Sequence, residues 1–256
     1  MDMRLAGGES KVDMYLAGDP APLKGQENIR KRLRPMILES FLQVNKNTVQ
    51  FLSYYESYML DSGAFSMLQG NVKEIDLKAY VDSYADYINL YKVKLYFELD
   101  IDSFIGYDKV KEIRKYLYDK TGVQPIPVWH KSRGIEDFKQ MCRDYPYVAL
   151  GGYVIKEFSK DEIKHFPKFI SCAHKQGVKI HGLGFTSLKW LPVCHFDSVD
   201  STTWLIGNRF GHIYKFNGKS MDRIDRPEGT KVNYKKAAIN NFVEWVKFQK
   251  YAKNHL

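Results

Sequence analysis

The chain has 256 residues, 44% of them hydrophobic and 14% aromatic, with 27% charged side chains and a formal charge of +9. That length suffices for one sizeable core, no apolar run approaches a membrane span, and three widely spaced cysteines (Cys142, Cys172, Cys194) argue against a disulfide framework or a zinc signature. Acids and glycines occupy the start, where a signal peptide needs a basic and then an apolar segment. The expectation is a soluble, cytoplasmic protein with one domain over 1–256, in which 212–256 forms a basic extension packed on the rest.

In chain order, Met14 to Gly18 reads as a first strand, partly echoed by Met3 to Gly7. The segment from Ile29 to Phe51 reads as helical, interrupted at Pro35. Tyr58 to Asp61 is the next strand, and it opens into Ser62-Gly63-Ala64-Phe65-Ser66. Asp76 then caps a helix whose Leu77, Tyr80, Val81, Tyr84 and Ile88 share one face. Lys94 to Asp100 reads as a strand ending in an acid, Tyr107 to Tyr118 as a helix, and Gln124 to His130 as a strand with a polar end. A helix over Ile135 to Arg143 precedes a strand, Tyr147 to Leu150, that runs into Gly151-Gly152. Ser159 with Glu162 suggests a capping box for a helix to Gln176, kinked at Pro167. Val178 to Gly184 and Ser198 to Ser201 are the last strands. Tyr234 to Lys253 reads as a helix with Ile239, Phe242, Val243 and Val246 on one face.

Short strands alternating with helices imply right-handed crossovers and a parallel sheet. No Gly-rich phosphate-binding fingerprint follows any strand, so a dinucleotide-binding fold has no support. The pattern predicts a compact α/β protein of (β/α)8 barrel type, with one strand still to be placed: Met3 to Gly7, or a segment within Val49 to Tyr55. Strand after strand ends in Asp, His or Gly, and in a barrel such ends form one crater. Asp61, Asp100 and Asp200 each close an apolar strand, where an unpaired charge is costly. Three acids at equivalent positions point to a site. His130 and His181 are expected only to line the pocket, and Asp102 to cap its loop. Trp129 and Trp204 divide between pocket and core, and Arg209 is a candidate phosphate contact.

The charge is unevenly placed. After Asp200 stand eleven Lys/Arg against four Asp/Glu, so +7 of the +9 lies there, and a second basic knot runs from Arg30 to Arg34. Such asymmetry suggests a polyanionic partner.

Five stretches, in this order, resemble the tRNA-guanine transglycosylase (queuine tRNA-ribosyltransferase) family. They are Asp61-Ser62-Gly63-Ala64-Phe65-Ser66, Leu99-Asp100, Ala149-Leu150-Gly151-Gly152, His181-Gly182-Leu183-Gly184, and Ser198-Val199-Asp200-Ser201-Thr202-Thr203-Trp204. The likeness spans roughly Leu16 to Gly211. It is nearest to compact phage-type members associated with 7-deazaguanine exchange in nucleic acid. The resemblance implies a barrel that swaps guanine for a 7-deazaguanine base without breaking the strand. On it, Asp200 is the nucleophile and Asp61 assists proton transfer. Phe65 stacks on the base, Asp100 recognises it, and Ser62, Gly63, Gly151, Gly152, His181 and Gly182 surround it. Asp197 is the competing nucleophile, set an odd number of positions away and so expected on the other face of the strand.

The chemistry wants these residue types. One carboxylate can accept from both N1–H and the amine of guanine, an aromatic ring stacks on any purine, and a second carboxylate can carry the sugar covalently. Cellular tRNA members carry a zinc site of cysteines and a histidine that has no counterpart here, so no metal or other cofactor is expected. Ala64 stands where Gly is usual and Ser66 where Gln is usual, and the chain is shorter. DNA and tRNA therefore both stay open as partners, with a 7-deazaguanine base as co-substrate. A barrel N-glycosidase releasing a base to water, and a non-catalytic nucleic-acid-binding barrel, are the alternatives.

Overall fold

A computed structural model describes residues 11–18, 23–63, 66, 76–226, 229 and 232–256, without the side chains of Asn47, Asn208 and Arg209. Eight parallel strands carry the fold: β1 (Asp13–Ala17), β2 (Met36–Ser40), β3 (Ser57–Asp61), β4 (Leu95–Tyr96), β5 (Val128–Trp129), β6 (Tyr147–Leu150), β7 (Lys179–Gly182) and β8 (Ser198–Ser201). Their order is β4-β3-β2-β1-β8-β7-β6-β5. A parallel bridge between Phe97 and Ile126 joins the outer pair, with Ile126 N–H donating to Tyr96 O at 2.8 Å. The sheet thus curls into a (β/α)8 barrel.

Inward-facing side chains alternate along each strand, as the two-residue period requires. Tyr15 and Ala17, Met36 and Leu38, Met59, Phe97, Ile126 and Val128, and Ala149 form one buried cluster that fills the barrel. A larger cluster lies between the strands and the surrounding helices, holding Trp129, Phe138, Phe166, Phe196, Trp204, Phe242 and Trp245.

The eighth strand is β2, inside the segment expected to be helical. The helix Glu27–Leu33 ends at Arg34, whose φ is 47°, and Pro35 leads directly into Met36–Ser40. Glu39 disguised it: this acid is buried outside the barrel wall, where Tyr58 Oη donates to it at 3.3 Å. Val49 to Tyr55 instead holds a short helical turn, Leu52–Tyr54, and Met3 to Gly7 lies outside the described residues. Pro167 stands in the first turn of the helix Phe166–His174, so it starts that helix and does not kink it. A hairpin absent from the expectation, β9 (Ile213–Phe216) with β10 (Met221–Ile224), packs on the long helix Tyr234–His255.

That helix is tied to the base of the barrel. Gln249, buried, accepts from Met36 N–H at 2.9 Å and donates to Met36 O at 2.8 Å and to Met14 O at 2.5 Å. Lys253 pairs with Glu56, just before β3. The helix Tyr234–His255 thus packs on the barrel wall against β1. Among the described residues no helix is long and apolar enough to cross a membrane.

Candidate active site

The barrel's alternation decides which side chains reach the crater. Two positions beyond inward-facing Met59 comes Asp61, two beyond Val128 comes His130, and two beyond Ala149 comes Gly151. Asp200 stands two beyond Ser198 on β8, opposite Tyr15 of β1. Asp100 lies beyond β4, after the Phe97 bridge to Ile126 and before the helix that opens at Asp102.

Asp61 is held by its own turn. Gly63, at φ 81°, turns its N–H back to Asp61 Oδ2 at 2.9 Å. A side chain there would be strained and would strike Leu42. The helix Leu77–Tyr91, capped by Asp76 as expected, fixes this loop from outside. Tyr80 Oη donates to Ser62 O at 2.6 Å, and Tyr84 Oη donates to Phe97 O at 3.0 Å. Burial, then the charge of Asp100 and more weakly that of Asp200, push the Asp61 carboxyl up to about 7, with the Gly63 N–H opposing. The three acids therefore share one electrostatic neighbourhood.

Asp100 meets His130: Nε2 lies 3.2 Å from Asp100 Oδ2, while Nδ1 lies 3.0 Å from Glu157 Oε1. Burial works against a charged imidazole, but the hydrogen bond and charge of Asp100 and the charge of Glu157 outweigh it, and the His130 pKa is raised. Gly151 makes room for this ring. A Cβ there would fall 2.8 Å from Val128 Cγ1 and 2.9 Å from His130 Cε1. Its N–H is spent on Trp129 O at 2.8 Å, so what Gly151 gives the crater is clearance. Gly152 abuts Glu157 and accepts from its N–H at 3.0 Å.

Asp200 is buried, and its Oδ2 accepts from Gly184 N–H at 2.7 Å and lies 3.2 Å from His181 Nε2. Among the described residues Oδ1 has no hydrogen-bond donor. Asp197 sits at the opposite end of β8. Its carboxylate accepts from Ile180 N–H at 2.8 Å and meets His174 Nε2 at 2.9 Å, on the helix side of the wall. The odd spacing thus separates the two acids as expected.

The remaining expectations divide. Trp129 packs on Phe138 and Phe169 and donates its indole N–H to Gly134 O, and Trp204 packs on Phe242 and donates to Ala17 O. Both pack in the core between strands and helices. Gly182 belongs to the β7 ladder, its side-chain position turned to Phe185 and Phe196. Asp102 does not cap its loop: the Arg133 guanidinium grips both its oxygens at 2.9 and 3.0 Å. Phe65 and Ala64 lie outside the described residues, as does the side chain of Arg209. Glu157 and Tyr147 escaped the sequence reading. Glu157 follows the Gly-Gly pair in the same loop, and that placement at a strand mouth was its available signal. Among the described residues no group of three or more His, Cys, Asp or Glu is placed to hold a metal ion.

The fold and the crater define an α/β barrel with acids at its strand mouths. No protein-family model and no curated protein sequence matches the chain. Among solved structures it is similar to a protein from Coccidioides immitis assigned as a fructose-1,6-biphosphate aldolase. The TM-score is 0.56 at 8% identity, covering 95% of this chain and 90% of that one. At that identity the likeness concerns the fold alone.

Proposed function

We propose that the chain is a transglycosylase that exchanges guanine in DNA or tRNA for a 7-deazaguanine derivative through an aspartyl-glycosyl intermediate. The observation that carries this reading is the division of labour among three neighbouring acids. Asp61 is held near neutrality, whereas Asp200 has Oδ2 engaged and Oδ1 free of protein donors among the described residues. One carboxyl that can hold a proton beside another with an oxygen left free is what an exchange reaction needs.

In the first half-reaction Asp200 Oδ1 attacks C1′, forming a C–O bond as the C1′–N9 bond breaks. The departing base takes the proton of Asp61. In the second, the incoming deazaguanine gives its N9 proton to the Asp61 carboxylate and attacks C1′, releasing Asp200. Two inversions restore the original configuration. Asp100, steadied by His130, would accept from the base's N1–H and amine. The base must leave the stack to reach the crater.

Incubating the protein with guanine-containing DNA or tRNA and a labelled 7-deazaguanine base tests the reading. Label should enter one polymer, and a denaturing gel should show a covalent adduct. The adduct should vanish in Asp200→Ala and persist in Asp197→Ala. Base release without incorporation would indicate a hydrolase.

A further inference from the structure

Behind Asp200 lies a chain of polar groups drawn from three strands, half-buried at Tyr147 and buried from Ser198 onward. Tyr147 Oη of β6 meets Ser198 Oγ of β8, Ser198 Oγ meets His181 Nδ1 of β7, and His181 Nε2 reaches Asp200 Oδ2 at 3.2 Å. His181 is fully buried and Ser198 nearly so. None of these contacts is needed to close the barrel, since backbone ladders already pair β6, β7 and β8.

The donors can be assigned by elimination. Gly184 N–H can only donate, and the O–H oxygen of a carboxylic acid is a poor acceptor, so the 2.7 Å bond marks Asp200 Oδ2 as an unprotonated, accepting oxygen. His181 Nε2 therefore carries a proton and donates to the same oxygen. In the neutral ring Nδ1 is then an acceptor, and Ser198 O–H is the donor that meets it. Ser198 Oγ in turn accepts from Tyr147 O–H. Each hydroxyl proton has one destination. Were the ring charged, Nδ1–H would donate to Ser198, Ser198 to Tyr147, and the Tyr147 proton would be left without an acceptor among the described residues. Burial keeps the Tyr147 phenol far above its ordinary pKa, so it stays a donor. The other rings against His181 are Phe97 and Tyr15, with centroids at 5.1 and 6.3 Å. The Tyr15 hydroxyl is engaged with Ser57 Oγ at 2.8 Å and does not compete for Nδ1.

We propose that His181 is a positioning residue for Asp200: the Tyr147–Ser198 hydroxyl pair locks the imidazole as the neutral Nε2–H tautomer. That tautomer and the Gly184 N–H hold Oδ2, so that Oδ1 is the oxygen presented to the substrate sugar. The tautomer follows from geometry alone, whereas its use in attack rests on the base-exchange reading.

Two measurements separate these parts. Side-chain ¹⁵N NMR of the histidine-labelled protein, with His181→Gln assigning the resonance, should show Nε2 protonated and Nδ1 as the bare, hydrogen-bonded nitrogen of the neutral ring. An Nδ1–H tautomer overturns the proposal. In Ser198→Ala the Nδ1 acceptor loses its donor, so the difference between the two ring-nitrogen shifts should shrink. Single-turnover adduct formation should then slow about tenfold or more, the scale of losing a hydrogen bond to a charged group, with nucleic-acid affinity unchanged. His181→Gln, which can offer an N–H near the position of Nε2, should retain more adduct rate than His181→Ala. Equal rates in Ser198→Ala and wild type would overturn the role. If Ser198→Ala fails to fold, Tyr147→Phe substitutes: Ser198 keeps its own proton there, so the tautomer should persist and the rate fall less. A switch to Nδ1–H in that variant would also refute the assignment. Wild-type protein that forms no adduct with DNA or tRNA ends the base-exchange reading and Asp200's role with it, while the NMR result still decides the tautomer.

Discussion

Burying Asp61 beside two other carboxyls sets a pH dependence whose sign can be worked out. Its folded pKa, about 7, lies above the ordinary carboxylate range. Between that range and 7 the folded chain keeps a proton that the unfolded chain releases. Stability therefore falls as pH rises through this window and levels off above it. Asp61→Asn removes the ionisation while keeping an oxygen for the Gly63 N–H. Denaturant unfolding should find the variant more stable than wild type at pH 8, on the order of a few kcal/mol at most, with the gap closing towards pH 4. A gap that does not change with pH would refute the assignment. Base exchange in the same variant should drop about 10²- to 10⁴-fold, as when a general acid–base group is lost. Gly151→Ala tests the neighbouring contact. The added methyl would collide with Val128 and His130, so it should destabilise by about 1–3 kcal/mol and move the His130 titration as its pairing with Asp100 is disturbed. Asp61, Asp100 and Asp200 were legible in the sequence because a charge closing an apolar strand is conspicuous. The Tyr147–Ser198–His181 chain was not, because residues on three strands meet only when the strands take their register.

At the scale of elements, polar residues that act as joints were the hardest to read. Glu39 made β2 look amphipathic and hid a strand that Pro35 all but announces. The hairpin β9–β10 carries Asn217-Gly218 at its turn, a pairing signal that stood in the sequence unread. Gln249 lies on the buried face of its helix among Trp245, Val246 and Phe248, where spacing alone predicts an apolar residue. It satisfies Met36 N–H and two backbone carbonyls at the barrel base. Gln249→Leu keeps the bulk and removes the polar partner. It should therefore destabilise by about 2–5 kcal/mol, read as a lower urea midpoint at unchanged m-value. A neutral result would mean that water or the strand ladder replaces the amide.

For the molecule as a whole, the question is which end of the barrel meets a polyanion, and the cations of the two basic stretches divide between its ends. Arg30 is buried, its guanidinium 3.9 Å from the Phe51 ring centroid, and is unavailable to phosphate. Arg32 and Arg34 are exposed but immediately precede β2, at the end of the barrel away from the crater. The long helix is oriented the other way. Gln249 and Lys253 fix its last turns to the base, and Phe242 packs on Trp204, whose indole bonds Ala17 at the top of β1. The turns before Phe242, with exposed Lys235 and Lys236, continue from that level in the direction away from the base, on the crater's side. If nucleic acid enters the crater, only the second set can touch its backbone. Reversing Lys235 and Lys236 to Glu should weaken DNA or tRNA binding alike across sequences and lower the salt slope by about one for each phosphate no longer neutralised. Reversing Arg32 and Arg34 should leave both affinity and slope unchanged. Fluorescence anisotropy titrations between 50 and 200 mM salt, roughly the range over which counterion release dominates, would read both. The opposite result would put the polyanion on the far face, beyond reach of Asp61, Asp100 and Asp200, and the crater could not be where it is modified.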